Sequence, residues 1–165
     1  MMKWNKIIND KIFQSTSSLV QTITKWKESQ DKIVFTNGCF DILHLGHIDY
    51  LTKAADLGNR LIIGVNTDHS VSKIKGPSRP IIEESTRLAK LASFAFVDAV
   101  ILFNEETPIE LIKSIEPNVL VKGGDYSLQT IVGAEFVKNN RGEVIVIPFL
   151  DGHSSTNYIN KISQP

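Results

Sequence analysis

The chain has little with which to staple itself, cross a bilayer or attract a polyanion. Its 165 residues contain a single cysteine, Cys39. An internal disulfide is therefore impossible, and a lone thiol fits a reducing compartment, so the cytoplasm is the expected location. Eighteen Lys and Arg residues are matched by eighteen Asp and Glu, giving a formal net charge of +0. No overall field favours nucleic acid or an anionic membrane, neither is expected as a partner, and any phosphate binding must be local. Long apolar runs are missing as well: nothing approaches the roughly 20 residues that span a bilayer. The opening MMKWNKIINDKIF has no apolar core followed by a small-residue cleavage site, so export is not expected. Repeats, low-complexity tracts and the phosphate-loop pattern GxxxxGK[ST] are all absent.

What is present is a hydrophobic content of 42%, enough for one sizeable core. From Lys32 onward, short β-branched runs alternate with amphipathic stretches, the pattern of an α/β fold whose open parallel sheet carries helices on both faces. Five strands are predicted, at 32–36 (KIVFT), 60–65 (RLIIGV), 99–102 (AVIL), 119–122 (VLVK) and 143–147 (EVIVI). Helices are predicted at 48–57, 84–94, 108–114 and 128–139, with a last one over 155–162. Residues 1–31 read as a helical extension that packs on the domain formed by 32–165, with Ser15–Ser18 capping a helix through Trp26.

After KIVFT the chain runs Asn37-Gly38-Cys39-Phe40-Asp41-Ile42-Leu43-His44-Leu45-Gly46-His47 and enters a helix. Open parallel sheets hold their ligands just beyond the carboxyl ends of the strands. Gly38 and Gly46 allow backbone to approach a ligand, and a helix start directs free N–H groups and a positive dipole end at an anion. His44 and His47, three apart, can present both imidazoles on one side and donate hydrogen bonds to phosphate oxygens. The plainer alternative is that His44 caps a turn while His47 packs. Zinc is disfavoured, because no further ligands stand at suitable spacing.

FDILHLGH behind a first strand resembles the HxGH signature of the cytidylyltransferase-like nucleotidyltransferases. The resemblance implies a Rossmann-like fold, attack of a phosphate oxygen on the α-phosphorus of a nucleoside triphosphate, and release of pyrophosphate with Mg2+ or another divalent cation present. It implies a triphosphate site around Gly38, Phe40, His44 and His47, with Thr36, Asn37 and Gly46 beside it. Asp41 is a candidate for substrate hydroxyls or the metal.

The remaining segments extend the likeness. Asp68 begins a polar stretch in which 70–80 (SVSKIKGPSRP) reads as a loop, and its cations can reach over a polyphosphate. The family places an acidic residue matching Asp68 near substrate, lysines matching Lys73 or Lys75 near phosphates, and an arginine matching Arg87; Lys75 is the stronger of the two lysines. At 121–126 (VKGGDY), Lys122 and Gly123 are expected at the nucleotide and Asp125 at sugar hydroxyls, although GGD also describes an ordinary turn. At 148–156 (PFLDGHSST), Ser154, Ser155 and Thr156 resemble the family's Ser-Thr-rich helix start, where hydroxyls and N–H groups bind phosphate or merely cap.

Cytidylyltransferases of small alcohol phosphates carry Arg-Thr-Glu-Gly-Ile-Ser at that second site, whereas this chain reads Phe149-Leu150-Asp151-Gly152-His153-Ser154. The four segments together are more similar to the family's D-glycero-β-D-manno-heptose 1-phosphate adenylyltransferases, over about residues 32–162. That likeness implies ATP and a sugar 1-phosphate as substrates, ADP-heptose as product, a homodimer, and in many relatives fusion behind a sugar kinase. Cytidylyl transfer to glycerol 3-phosphate, or a non-catalytic nucleotide-binding module, remains the alternative.

Overall fold

The computed structural model describes residues 2–124 and 130–150. Along them run α1 (Lys3–Asn9), β1 (Ile12–Phe13), α2 (Thr16–Glu28), β2 (Ile33–Gly38), α3 (Leu45–Ala55), β3 (Arg60–Asn66), α4 (Asp68–Lys75), α5 (Glu84–Ala92), β4 (Ala99–Phe103), α6 (Ile109–Ile115), β5 (Val119–Gly123), α7 (Ala134–Asn139) and β6 (Glu143–Ile147). All pairings are parallel, and the order across the sheet is β1-β4-β3-β2-β5-β6. The Rossmann-like parallel architecture is thus as expected, but the sheet has six strands and not five. The extra strand escapes pattern reading because two residues cannot display an alternation; Ile12 and Phe13 earn their place only by pairing with Val100 and Ile101.

A second correction concerns 70–80, expected as a loop: its first part belongs to α4, which runs over Asp68–Lys75. Thr67 caps it, accepting a bond from the N–H of Ser70, while Asp68 stands in the first turn and Lys73 and Lys75 in the last. Cap and charge placement both favour a helix. Its buried residues are only Ser70 and Val71, too few to show a helical period. The helix predicted at 128–139 is seen as α7 from Ala134, and the one predicted at 155–162 lies outside the described residues.

The sheet divides two apolar layers. On one face Tyr50, Leu51 and Ala54 of α3 and Leu88, Leu91 and Ala92 of α5 pack on Val34, Leu61, Ile63, Val119 and Val121. On the other, Leu19 and Ile23 of α2, Leu111, Ile112 and Ile115 of α6 and Val137 of α7 pack on Ile33, Phe35, Ile62 and Leu120. Because the middle strands are covered on both faces, they read as continuous apolar runs. Each fully buried Ile or Leu contributes about 1.5–3 kcal/mol, so two such layers give a rigid platform whose carboxyl edge carries the loops.

Candidate functional site

The strand order locates the site. From β2 the chain builds outward through β3 to β4, whereas β5 and β6 extend from the opposite side of β2. The direction reverses between β2 and β5, and a crevice opens where the loops leaving their carboxyl ends diverge. A cleft of about 260 Å3 lies there. Asn37, Gly38, Cys39, Phe40 and Asp41 line it from the end of β2 and the turn after it, His47 and Tyr50 from α3, Lys75 from α4, and Lys122 and Gly123 from β5, with Phe149 beside them. A larger depression of about 740 Å3, lined by Ile131, Phe136 and Asn139 among others, runs along α7 and gathers none of these residues.

His44 occupies the N-cap of α3 in extended backbone, φ −141° and ψ 173°, and its carbonyl accepts from the N–H of His47 at 2.9 Å. This brings the two imidazoles together, with ring centroids 3.9 Å apart and planes inclined by 36°. Phe40 packs against His47 from the other side, 5.5 Å between centroids. Burial, the neighbouring His44 and Lys75 depress the His47 imidazole to about 4. Its Nδ1 is buried and has no hydrogen-bond partner among the described residues. His47 is therefore neutral at pH 7 and retains an N–H to donate. In the free protein we expect its NMR titration midpoint near 4; a midpoint near 6.5 would contradict the burial. The sign for stability follows. Between about pH 6.5 and 4 the unfolded chain binds the extra proton and the folded one does not, so stability falls with acid in that window. The His47→Gln variant should show a flatter acid limb in urea melts.

The turn preceding the histidines is held from behind. Phe40 has φ +49°, a left-handed conformation that costs a non-glycine residue about 1–2 kcal/mol. Arg87, with no exposed surface, fixes the adjoining peptide: its guanidinium donates to Cys39 O at 2.5 Å, to Ile82 O at 3.0 Å and to Asp68 Oδ1 at 2.7 Å. Asp41 is similarly engaged, accepting from Arg79 Nε at 2.5 Å and from the N–H groups of Ile81 and Ile82, each at 2.8 Å. Burial pushes the Asp41 carboxyl up, but the N–H groups of Ile82 and Ile81, together with Arg79, outweigh it and hold it below the usual range.

These contacts tie several expected site residues to protein groups, although Asp41 also lines the cleft and Asp68 keeps 40% of its side chain exposed. Arg87, Asp68 and Asp41 were expected at substrate; here Arg87 is wholly buried and all three bond to protein. Thr36 is likewise buried, its hydroxyl 2.6 Å from the Tyr50 hydroxyl. Gly46 is buried in the first turn of α3. Asn37, Gly38, Phe40, Asp41, His47, Lys75, Lys122 and Gly123 do meet at the cleft, with the His44 ring tilted against His47. Tyr50 and Phe149 were not anticipated, and Arg79, expected among the loop cations that reach over a polyphosphate, pairs with Asp41. Tyr50 stands one helical turn beyond His47, which is a legible signal; the Asp41–Arg79 pair spans 38 residues and leaves none. Asp125, Ser154, Ser155 and Thr156 lie outside the described residues.

Burial raises the Cys39 thiol above its ordinary value, so it is not a ready nucleophile at neutral pH. Among the described residues no three His, Cys, Asp or Glu side chains gather as a metal cage, and Asp41 is already filled by Arg79 and two N–H groups. These residues do not fit a resident ion. Nor is any helix among them long and apolar enough to cross a membrane.

Residues 35–161 match the family described as cytidylyltransferase-like. Among curated relatives, the Bifunctional protein HldE of Koribacter versatilis is 48% identical over 145 residues, covering 88% of this chain and 30% of that protein. The Bifunctional protein HldE of Campylobacter fetus is 45% identical over 163 residues, 96% of this chain and 35% of that protein. The chain thus spans about a third of the length of these relatives. Of solved structures, a lipopolysaccharide core biosynthesis protein from Thermoplasma volcanium aligns with TM-score 0.57 and 29% identity, over 73% of this chain and 97% of that one. Pantoate-beta-alanine ligase from Francisella tularensis shares the fold, with TM-score 0.63 and 18% identity over 92% of this chain and 77% of that one.

Proposed function

Since this chain belongs to the cytidylyltransferase-like family, we propose that it transfers AMP from ATP to D-glycero-β-D-manno-heptose 1-phosphate, giving ADP-heptose and pyrophosphate for bacterial lipopolysaccharide or another surface glycan. The observation that carries nucleotidyl transfer is the close His44–His47 pair at the start of α3, whose His47 lines the cleft between β2 and β5. The choice of ATP and heptose is supported by similarity to HldE proteins and to a lipopolysaccharide core biosynthesis protein.

The chemistry needs no enzyme nucleophile. A phosphate oxygen of the sugar 1-phosphate forms a bond to the α-phosphorus, the bond from that phosphorus to the bridging oxygen breaks, and the electron pair leaves with pyrophosphate. The attacking oxygen is already anionic, so no general base is required. What remains is positioning and stabilisation of developing charge. His47 and His44 would donate N–H bonds to the phosphate oxygens, reinforced by the helix dipole, and Lys75 would cover the triphosphate from α4. A divalent cation would arrive on the nucleotide's own phosphates, the usual mode for Mg2+.

The test is a panel of ATP, CTP, GTP and UTP against heptose 1-phosphate and glycerol 3-phosphate, read by pyrophosphate release. Turnover is expected with ATP and heptose 1-phosphate. Turnover with CTP alone would overturn the adenylyl assignment.

A further inference from the structure

The cleft has two walls, and the sheet decides which residue stands on which. Along a strand, residues two apart share a face. On β5, Val119 and Val121 join the layer of α3, while Leu120 joins that of α6 and α7. A Cβ built on Gly123 would meet the ring of Tyr50 at 3.1 Å, so the alternation persists to the end of the strand. Lys122 therefore projects to the α6 and α7 side. On β2 the same rule holds, with Thr36 bonded to Tyr50 and Asn37 to Lys122. His44 and His47, at the start of α3, belong to the opposite wall.

Lys122 is an unusual cation. Its Nζ donates to Asn37 Oδ1 at 2.5 Å, and among the described residues no carboxylate pairs with it. Desolvation, only partly offset by Cys39, holds its ammonium down to about 8. An ammonium has three donors, so the bond to Asn37 orients it without exhausting it. A desolvated cation in a cleft is stabilised when an anion arrives beside it.

In-line displacement at phosphorus requires the entering and leaving oxygens on opposite sides. With the leaving pyrophosphate held on the histidine wall, the entering phosphate must come from the other. We propose that Lys122, oriented by Asn37, is the docking cation for the phosphate of the acceptor, the sugar 1-phosphate, and not a nucleotide contact. This rests on the transfer reaction proposed above.

The Lys122→Met variant tests it. A lost charge-assisted bond corresponds to a rise of about 10- to 100-fold in KM for the sugar 1-phosphate, with KM for ATP unchanged. Lys122→Arg, which keeps the charge, should recover part of the acceptor affinity and guards against a folding defect in the first variant. Calorimetric titration of heptose 1-phosphate into wild type and Lys122→Met, with no nucleotide present, reads the contact without turnover. Weaker binding by the variant supports the proposal even if CTP proves to be the donor, in which case only the base assignment falls. Equal binding by both proteins, or a parallel rise in KM for ATP, overturns it.

Discussion

Replacing Arg87 by methionine should lower folding stability by about 2–5 kcal/mol. The guanidinium is fully buried and donates to two backbone carbonyls and one carboxylate. Methionine refills the volume but supplies no donor, and each buried carbonyl left unpaired costs about 1–3 kcal/mol. For a domain of this size that is a fall of roughly 5–15 °C in Tm. Lysine should not rescue it, since one ammonium cannot reproduce a fork that reaches Cys39, Ile82 and Asp68 at once. Asp68 gives the decisive contrast. If it binds substrate, Asp68→Ala should raise a KM and leave the melt alone. If it is the counter-charge of Arg87, the variant removes one acceptor from a buried cation while Asp68 itself is partly exposed, and it should lose about 1–3 kcal/mol. Urea denaturation of both variants measures this, and a loss below about 1 kcal/mol in each would reject the clamp.

The same residues show what a sequence can reveal of this fold and site. Strands β2 to β5 are legible because they are largely buried on both sides and appear as apolar, β-branched runs, as in RLIIGV, and the partly exposed edge strand β6 because EVIVI carries the same kind of run. β1 is not, because its existence depends on an edge of β4 distant in sequence. α4 is nearly invisible to periodicity, though Thr67 and its terminal lysines mark both ends. In the site, HLGH is legible because one helical turn fixes both histidines locally. The supports are not: Arg87 reaches Cys39 across 48 residues and Lys122 reaches Asn37 across 85. Carboxylates and cations near a motif invite a reading as ligand contacts, and only tertiary geometry shows that Arg87 is wholly buried against protein and that Asp41, at the cleft wall, is held by Arg79.

Substitution of His47 by alanine should reduce kcat by about 100- to 1000-fold, the range for removing one donor from a transition-state site. Stability should change little at pH 7, because the imidazole is neutral there and its Nδ1 has no partner among the described residues to strand. His44→Ala should produce a loss of similar size, since the two adjacent rings act on the same developing charge. Groups that act as a unit are not additive, so the double variant should be little worse than either single one. His47→Gln keeps a side-chain N–H but not the ring that packs on Phe40; it should recover part of the activity if hydrogen bonding matters more than packing. Equilibrium ATP binding separates ground state from transition state: a fall in kcat with binding retained places the pair at the transferring phosphorus, and undiminished turnover in His47→Ala would remove it from the reaction.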